Sequence, residues 1–193
     1  PGYAQRDADQ TDVMISGSRF MTRCYETAFW YSGPIEEFGS PRNDLLFHPP
    51  TALRAQICKK LGVDPVKKLV LYAPTFRVDG SLEPYSLDFP RVLDTFDRRF
   101  GGSHCMLLRL HPNLDAKSDA LSCDNLTTFN ATRYPDMQEL LAVADVVITD
   151  YSSLMFDFAL TGRPCFQFAT DIAAYRQDRS FNFSLDALPF PLA

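Results

Sequence analysis

Three short polar segments carry the residues best suited to chemistry, and each follows an apolar run. Thr75-Phe76-Arg77 comes after Leu69–Ala73, His111-Pro112-Asn113 after Cys105–Leu110, and Asp150-Tyr151-Ser152-Ser153 after Val146–Thr149. A hydroxyl and a guanidinium two residues apart suit an anion, because arginine can donate bidentately to a phosphate. Histidine titrates near neutrality and can donate to a phosphate oxygen or protonate a leaving group. Paired serines ahead of a helical stretch place hydroxyls and free backbone N–H groups at the positive end of the helix dipole. The chemistry common to Thr75, Arg77, His111, Ser152 and Ser153 is therefore the binding and polarising of a phosphate or diphosphate.

Each residue also has a plainer reading that the sequence leaves open. Ser152 or Ser153 can serve only as a helix N-cap, Arg77 can be a loop surface charge, and His111 can be a structural strand-end residue. No G-x-S-x-G, H-E-x-x-H, Walker loop or G-x-G-x-x-G occurs, so the hydrolase, zincin, P-loop and dinucleotide readings lose their usual support. Neither a metal nor a cofactor is expected: Asp7 and Asp9 form a D-x-D only within a polar terminal run, and His48 and His104 have no supporting partners. Five scattered cysteines, Cys24, Cys58, Cys105, Cys123 and Cys165, read as small buried hydrophobes of a reducing compartment. N-glycosylation patterns at Asn125, Asn130 and Asn182 are taken as chance in a chain without secretory signals.

The elements that must hold these residues follow from periodicity. Residues 1–12 are polar and expected to be a segment apart, with a Rossmann-like domain spanning 13–193. Val13–Ser16 reads as a strand, and Phe20, Cys24 and Ala28 stripe a helix from Arg19 to Phe29 behind Ser18 as N-cap. Ile35–Phe38 is a second short strand, and Gly39–Asp44 a turn. Leu53, Ile57 and Leu61 mark a helix opened at Thr51 and closed by Gly62. Leu69–Ala73 is apolar throughout, as a strand covered on both faces requires, and a polar loop runs from Pro74 to Ser86. Pro90 starts a helix carrying Val92, Leu93, Phe96 and Phe100, which Gly101-Gly102 stops. Cys105–Leu110, Leu126–Phe129, Val146–Thr149 and Pro164–Phe168 are further strands. Met137–Ala144 forms an amphipathic helix, and Ser153–Leu160 a helix apolar nearly all round and so expected to be buried.

Strands alternating with helices give an α/β, doubly wound, mainly parallel sheet. In such sheets ligands bind beyond the carboxyl ends of the strands, which is where the three polar segments lie. With 193 residues, 46% hydrophobic and 22% charged, there is material for a sizeable core and no compositional sign of disorder. A net charge of −5 gives no global attraction to nucleic acid, and none is expected as a partner. The stretch Leu140–Ile148 falls far short of the ~20 apolar residues that span a bilayer. Pro1 in place of Met, and a pattern that stops at Leu188-Pro189-Phe190-Pro191, are read as a chain truncated at both ends.

Four motifs in order, Gly39-Ser40-Pro41-Arg42-Asn43-Asp44, Leu71-Tyr72-Ala73-Pro74-Thr75-Phe76-Arg77, Arg109-Leu110-His111-Pro112 and Ile148-Thr149-Asp150-Tyr151-Ser152-Ser153, resemble those of the CDP-glycerol glycerophosphotransferases of teichoic acid and capsule synthesis. The resemblance covers roughly residues 13–193, with Gly162-Arg163-Pro164 and the tail included. It implies the donor-binding, C-terminal half of a GT-B-like enzyme. That enzyme would move glycerol phosphate or ribitol phosphate from a CDP-activated donor to a hydroxyl of a polymer or lipid-linked acceptor and release CMP. Thr75, Arg77, His111, Ser152 and Ser153 would surround the CDP pyrophosphate, with His111 on the leaving phosphate and Arg42, Asn43, Asp150 and Tyr151 as further candidates. An acceptor-activating histidine, and peripheral attachment to the cytoplasmic face of the membrane, are expected of sequence outside this chain. A sugar-transferring GT-B donor domain and a noncatalytic nucleotide-binding module are the alternatives.

Overall fold

The architecture comes from a computed structural model that describes residues 2–77, 80–114, 118, 127–178 and 187–188. The chain divides into two compact units, Pro1–Leu45 and Leu46–Ala193. The polar run in the sequence puts a boundary after residue 12, with organised structure from Val13. In the structure the polar start is itself helical, α1 running from Gly2 to Asp9 with no buried residue. A helix without a buried stripe leaves no hydrophobic periodicity to read. The first unit continues with β1 (Met14–Ile15), α2 (Arg19–Ala28) and β2 (Ile35–Glu36), the two strands pairing in parallel. Ser18 caps α2 as expected, accepting from the Met21 N–H at 3.3 Å. The Gly39–Asp44 turn includes a single 3-10 turn at Pro41–Asn43, and α3 (Asp44–Phe47) follows it.

The second unit contains α4 (Leu53–Leu61), β3 (Lys68–Tyr72), α5 (Phe89–Phe100), β4 (His104–Leu108), β5 (Thr128–Asn130), α6 (Met137–Val143), β6 (Val146–Thr149), α7 (Leu154–Ala159), β7 (Cys165–Gln167) and α8 (Ile172–Asp178). Its sheet has the order β5-β4-β3-β6-β7 with every pair parallel, so the α/β, doubly wound class holds. Apolar runs in β3 and β4 occupy both faces, since successive side chains alternate. Val70, Tyr72, Met106, Leu108, Val146 and Ile148 pack with Phe89, Leu93 and Phe96 of α5. The alternate residues Leu69, Leu71, Leu107 and Val147 are fully buried as well, on the face where α6 meets β3 and α4 meets α6.

Helix ends follow local chemistry. Gly62 ends α4 in the left-handed region at φ 71°, a conformation open to glycine at little cost, and Asp88 accepts from the Arg91 N–H at 3.0 Å to start α5. Two expectations change. Helix α7 is buried on one face only: Met155 and Phe158 are enclosed, but Phe156 and Leu160 are 41% and 48% exposed, because the helix packs on β6 and β7 from one side. Helix α8 was missed, its seven residues offering no apolar stripe long enough to register. Cys58, Cys105 and Cys165 are buried free thiols and Cys24 is half-buried. Among the described residues no helix is long and apolar enough to cross a membrane. Cys123, Asn125, Asn182 and the tail residues 189–191 lie outside the described residues.

Candidate functional site

The strand order decides which loops become neighbours. Because β3 is flanked by β4 on one side and β6 on the other, the segments leaving their carboxyl ends converge where the winding direction reverses, the usual ligand crevice of such sheets. The junction is tight: Ala73 N–H donates to the Ile148 carbonyl at 3.0 Å, and the buried Thr149 hydroxyl donates to the Ala73 carbonyl at 2.7 Å. Above it a cleft of about 350 Å³ is lined by Thr75, Phe76, Arg109, His111, Met137 and Ser152, among others.

Three of the residues singled out in the sequence therefore meet in one cleft: Thr75, His111 and Ser152. The Thr75 hydroxyl is buried and has no hydrogen-bond partner among the described residues, an arrangement that a bound polar ligand would satisfy. His111 is exposed and lies against the Phe76 ring at a centroid distance of 5.2 Å. Its Nδ1 accepts from the Asn113 N–H at 3.2 Å, so the neutral ring carries its proton on Nε2, the nitrogen available to donate to a ligand. The Ser152 hydroxyl accepts from the Leu154 N–H at 3.4 Å. Ser153 stands at the N-cap position of the six-residue α7, makes no side-chain cap and is not part of the cleft wall.

Arg77 is placed differently from the sequence expectation of a direct phosphate ligand. It is 8% exposed and held by two carboxylates, Nε donating to Asp171 Oδ2 at 2.6 Å and Nη2 to Asp171 Oδ1 and Asp150 Oδ2, both at 2.9 Å. A third nitrogen, Nη1, donates to the Thr75 carbonyl. Burial works against its charge, but hydrogen bonds and Coulomb attraction from Asp171 and Asp150 outweigh it and hold its pKa above the ordinary arginine value. Asp150, 1% exposed, accepts on Oδ1 from the Thr75 N–H at 2.8 Å and the Tyr151 N–H at 2.6 Å. Tyr151 donates its hydroxyl to Asp171 at 2.9 Å and stacks on Tyr175 at 4.0 Å. Arg77 and Asp150, both buried, and the half-buried Tyr151 thus form a network beside the cleft. Arg42, exposed, and Asn43, buried, belong to the 3-10 turn of the first unit and are not among the cleft residues.

The cation in the cleft is Arg109, quoted within a motif in the sequence but not chosen as a site residue. Its Nη1 donates to the carbonyls of Leu110 and Thr132, while its Nε is buried without a partner among the described residues. No ion pair with Arg109 occurs among the described residues, and burial pulls its pKa below the ordinary value. A charge in that state gains from an anionic ligand. The signal available in the sequence was position alone, two residues before His111 at the end of an apolar run. Asp171 had only a similar positional signal, falling just past the Pro164–Phe168 run, and its pairing with Arg77 could not be read from the sequence.

The model of the CDP-Glycerol:Poly(glycerophosphate) glycerophosphotransferase family matches residues 3–191. A teichoic acid poly(glycerol phosphate) polymerase of Staphylococcus epidermidis is 34% identical over 194 residues, covering 97% of this chain and 27% of the relative. The structure of the wall teichoic acid polymerase TagF superposes with a TM-score of 0.79 at 32% identity, covering 99% of this chain and 48% of that one. A variant of the same polymerase soaked with CDPG superposes at 0.77 with 33% identity, covering 99% and 46%. The chain spans about a quarter of the curated relative and about half of the solved polymerase. A parallel sheet of this order, with phosphate-suited residues gathered at its carboxyl edge and a family match running almost end to end, places the chain in the CDP-glycerol:poly(glycerophosphate) glycerophosphotransferase family.

Proposed function

We propose that this chain is the donor-binding half of an enzyme that transfers glycerol phosphate from CDP-glycerol to a hydroxyl of a teichoic acid or capsule-type acceptor, CDP-ribitol being the related donor. The observation that carries the reading is a pair of buried polar groups without hydrogen-bond partners among the described residues, the Thr75 hydroxyl and Arg109 Nε, in a cleft that also holds His111 and Ser152. The diphosphate lies against Arg109, Thr75 and Ser152, which neutralise and orient it. The acceptor oxygen attacks the glycerol-bearing phosphorus, and the bond from that phosphorus to the bridging oxygen breaks. CMP leaves with the bridging oxygen, to which His111 Nε2–H donates. Fixed donors of this kind work by stabilising charge that grows on phosphate oxygens during displacement. The acceptor proton passes to a base supplied from outside this chain, as does any attachment to the inner face of the membrane, where a lipid-linked acceptor would be met.

Titration calorimetry of this chain with CDP-glycerol, CDP and UDP-glucose tests the reading. Binding of CDP-glycerol and CDP, with none of UDP-glucose, is expected. Binding of UDP-glucose without CDP would assign the cleft to a sugar-nucleotide transferase, and binding of none would leave a vestigial pocket.

A further inference from the structure

Thr75 and Ser152 stand on segments that have already left the sheet, so something other than strand pairing must fix them. The elements of that support are in the second unit, and none of them lines the cleft. Asp171, immediately before α8, grips Arg77 with both carboxylate oxygens, at 2.6 and 2.9 Å. Arg77 in turn holds Asp150, and Asp150 accepts the backbone N–H groups of Thr75 and Tyr151. The guanidinium is also enclosed by aromatic faces, lying 4.9 Å from the Tyr151 ring centroid and 5.0 Å from that of Tyr175. The path therefore runs from the start of α8, through one arginine, to two neighbouring loops that contribute Thr75 and Ser152 to the cleft lining.

We infer that Asp171 is a positioning residue for donor binding: through its two-point grip on Arg77 it sets Asp150, and with it the backbone of Thr75 and of Tyr151-Ser152. The inference rests on the donor reading of the cleft. Several features support a positioning role over a merely stabilising one. The grip needs a planar fork, because Arg77 satisfies two carboxylates and the Thr75 carbonyl at once, and lysine has no equivalent geometry. Asp150 has one oxygen committed to Arg77 and the other to the two amides, so loss of the Arg77 contact frees the carboxylate that sets both loops. Tyr151 adds a second tie, its hydroxyl donating to Asp171 at 2.9 Å. A cleft held in shape before the ligand arrives avoids the ordering cost that a loose one must meet on binding.

The experiment compares this chain with its Asp171→Ala, Asp171→Glu and Arg77→Lys variants, measuring CDP affinity by calorimetry and amide hydrogen exchange residue by residue. Asp171→Ala is expected to weaken CDP binding by about tenfold or more. It should also speed exchange at the Thr75 and Tyr151 amides while Leu69, Val70 and Leu71 within β3 stay protected. Arg77→Lys, which keeps the charge and loses the fork, should behave as Asp171→Ala does, and Asp171→Glu should recover part of the affinity. Variants that bind CDP as the unaltered chain does overturn the inference, as does lost affinity with unchanged exchange at Thr75 and Tyr151. Absence of CDP binding by the unaltered chain is a different result and overturns the donor reading itself.

Discussion

Replacing Asp150 with alanine removes three contacts at one point, and the structure allows their cost to be worked out. The carboxylate is 1% exposed and takes the Thr75 and Tyr151 N–H groups and Arg77 Nη2. Removing one partner of a buried ion pair costs about 3–5 kcal/mol when the other charge is stranded. Arg77 keeps Asp171, so about 2 kcal/mol is the appropriate share here. The two amides lose their acceptor in half-buried surroundings, adding about 1 kcal/mol each. The sum is about 4 kcal/mol, a large part of the ~5–15 kcal/mol that holds a typical protein folded. Asp150→Asn retains an acceptor oxygen while losing the charge, and should cost about half as much. Urea unfolding followed by far-ultraviolet circular dichroism is the suitable assay. The one tryptophan, Trp30, lies in the first unit, so its fluorescence reports on the wrong part of the chain. A loss below about 1 kcal/mol for the alanine variant, or equal losses for alanine and asparagine, would refute this account of Asp150 as the charged hub of the two loops.

Arg109→Ala should weaken CDP binding by about tenfold and flatten its dependence on salt, since the variant removes a cleft cation that has no ion pair among the described residues; calorimetry at two salt concentrations checks this. The acid limb of stability should involve Asp171. Hydrogen bonding from Arg77 holds its carboxyl below the ordinary value in the folded chain, so the stabilisation is complete above the unfolded value of ~4 and is lost as pH falls through the lower folded value. Urea midpoints measured from about pH 6 down to about pH 2.5 should accordingly fall less steeply for Asp171→Asn than for the unaltered chain. Gly62→Ala should cost about 1 kcal/mol in a thermal melt. The added Cβ meets nothing within 4 Å, so the loss comes from the backbone alone and Gly62→Asn should cost less.

The sequence by itself determined the types and order of most elements, because hydrophobic period and end signals are local properties of the chain. Leu69–Ala73 reads as a doubly covered strand whatever it pairs with, Gly62 stops a helix through its own φ, and Thr75, His111 and Ser152 fall just past apolar runs. That was enough to reach the carboxyl edge of a parallel sheet and three residues of the cleft. The polar α1 and the short α8 escaped because neither carries an apolar stripe to be counted. Tertiary structure alone decided the strand order β5-β4-β3-β6-β7, which brings the loops after β3 and β6 together. It also decided which arginine has its charge matched. The sequence puts Arg77 forward for phosphate and leaves Arg109 inside a motif, but Arg77 meets Asp150 and Asp171, 73 and 94 residues away, while Arg109, among the described residues, donates to carbonyls. Charge pairing falls off within a few ångströms in space and is blind to separation along the chain, so which arginine is paired with carboxylates and which lines the cleft belongs to the fold.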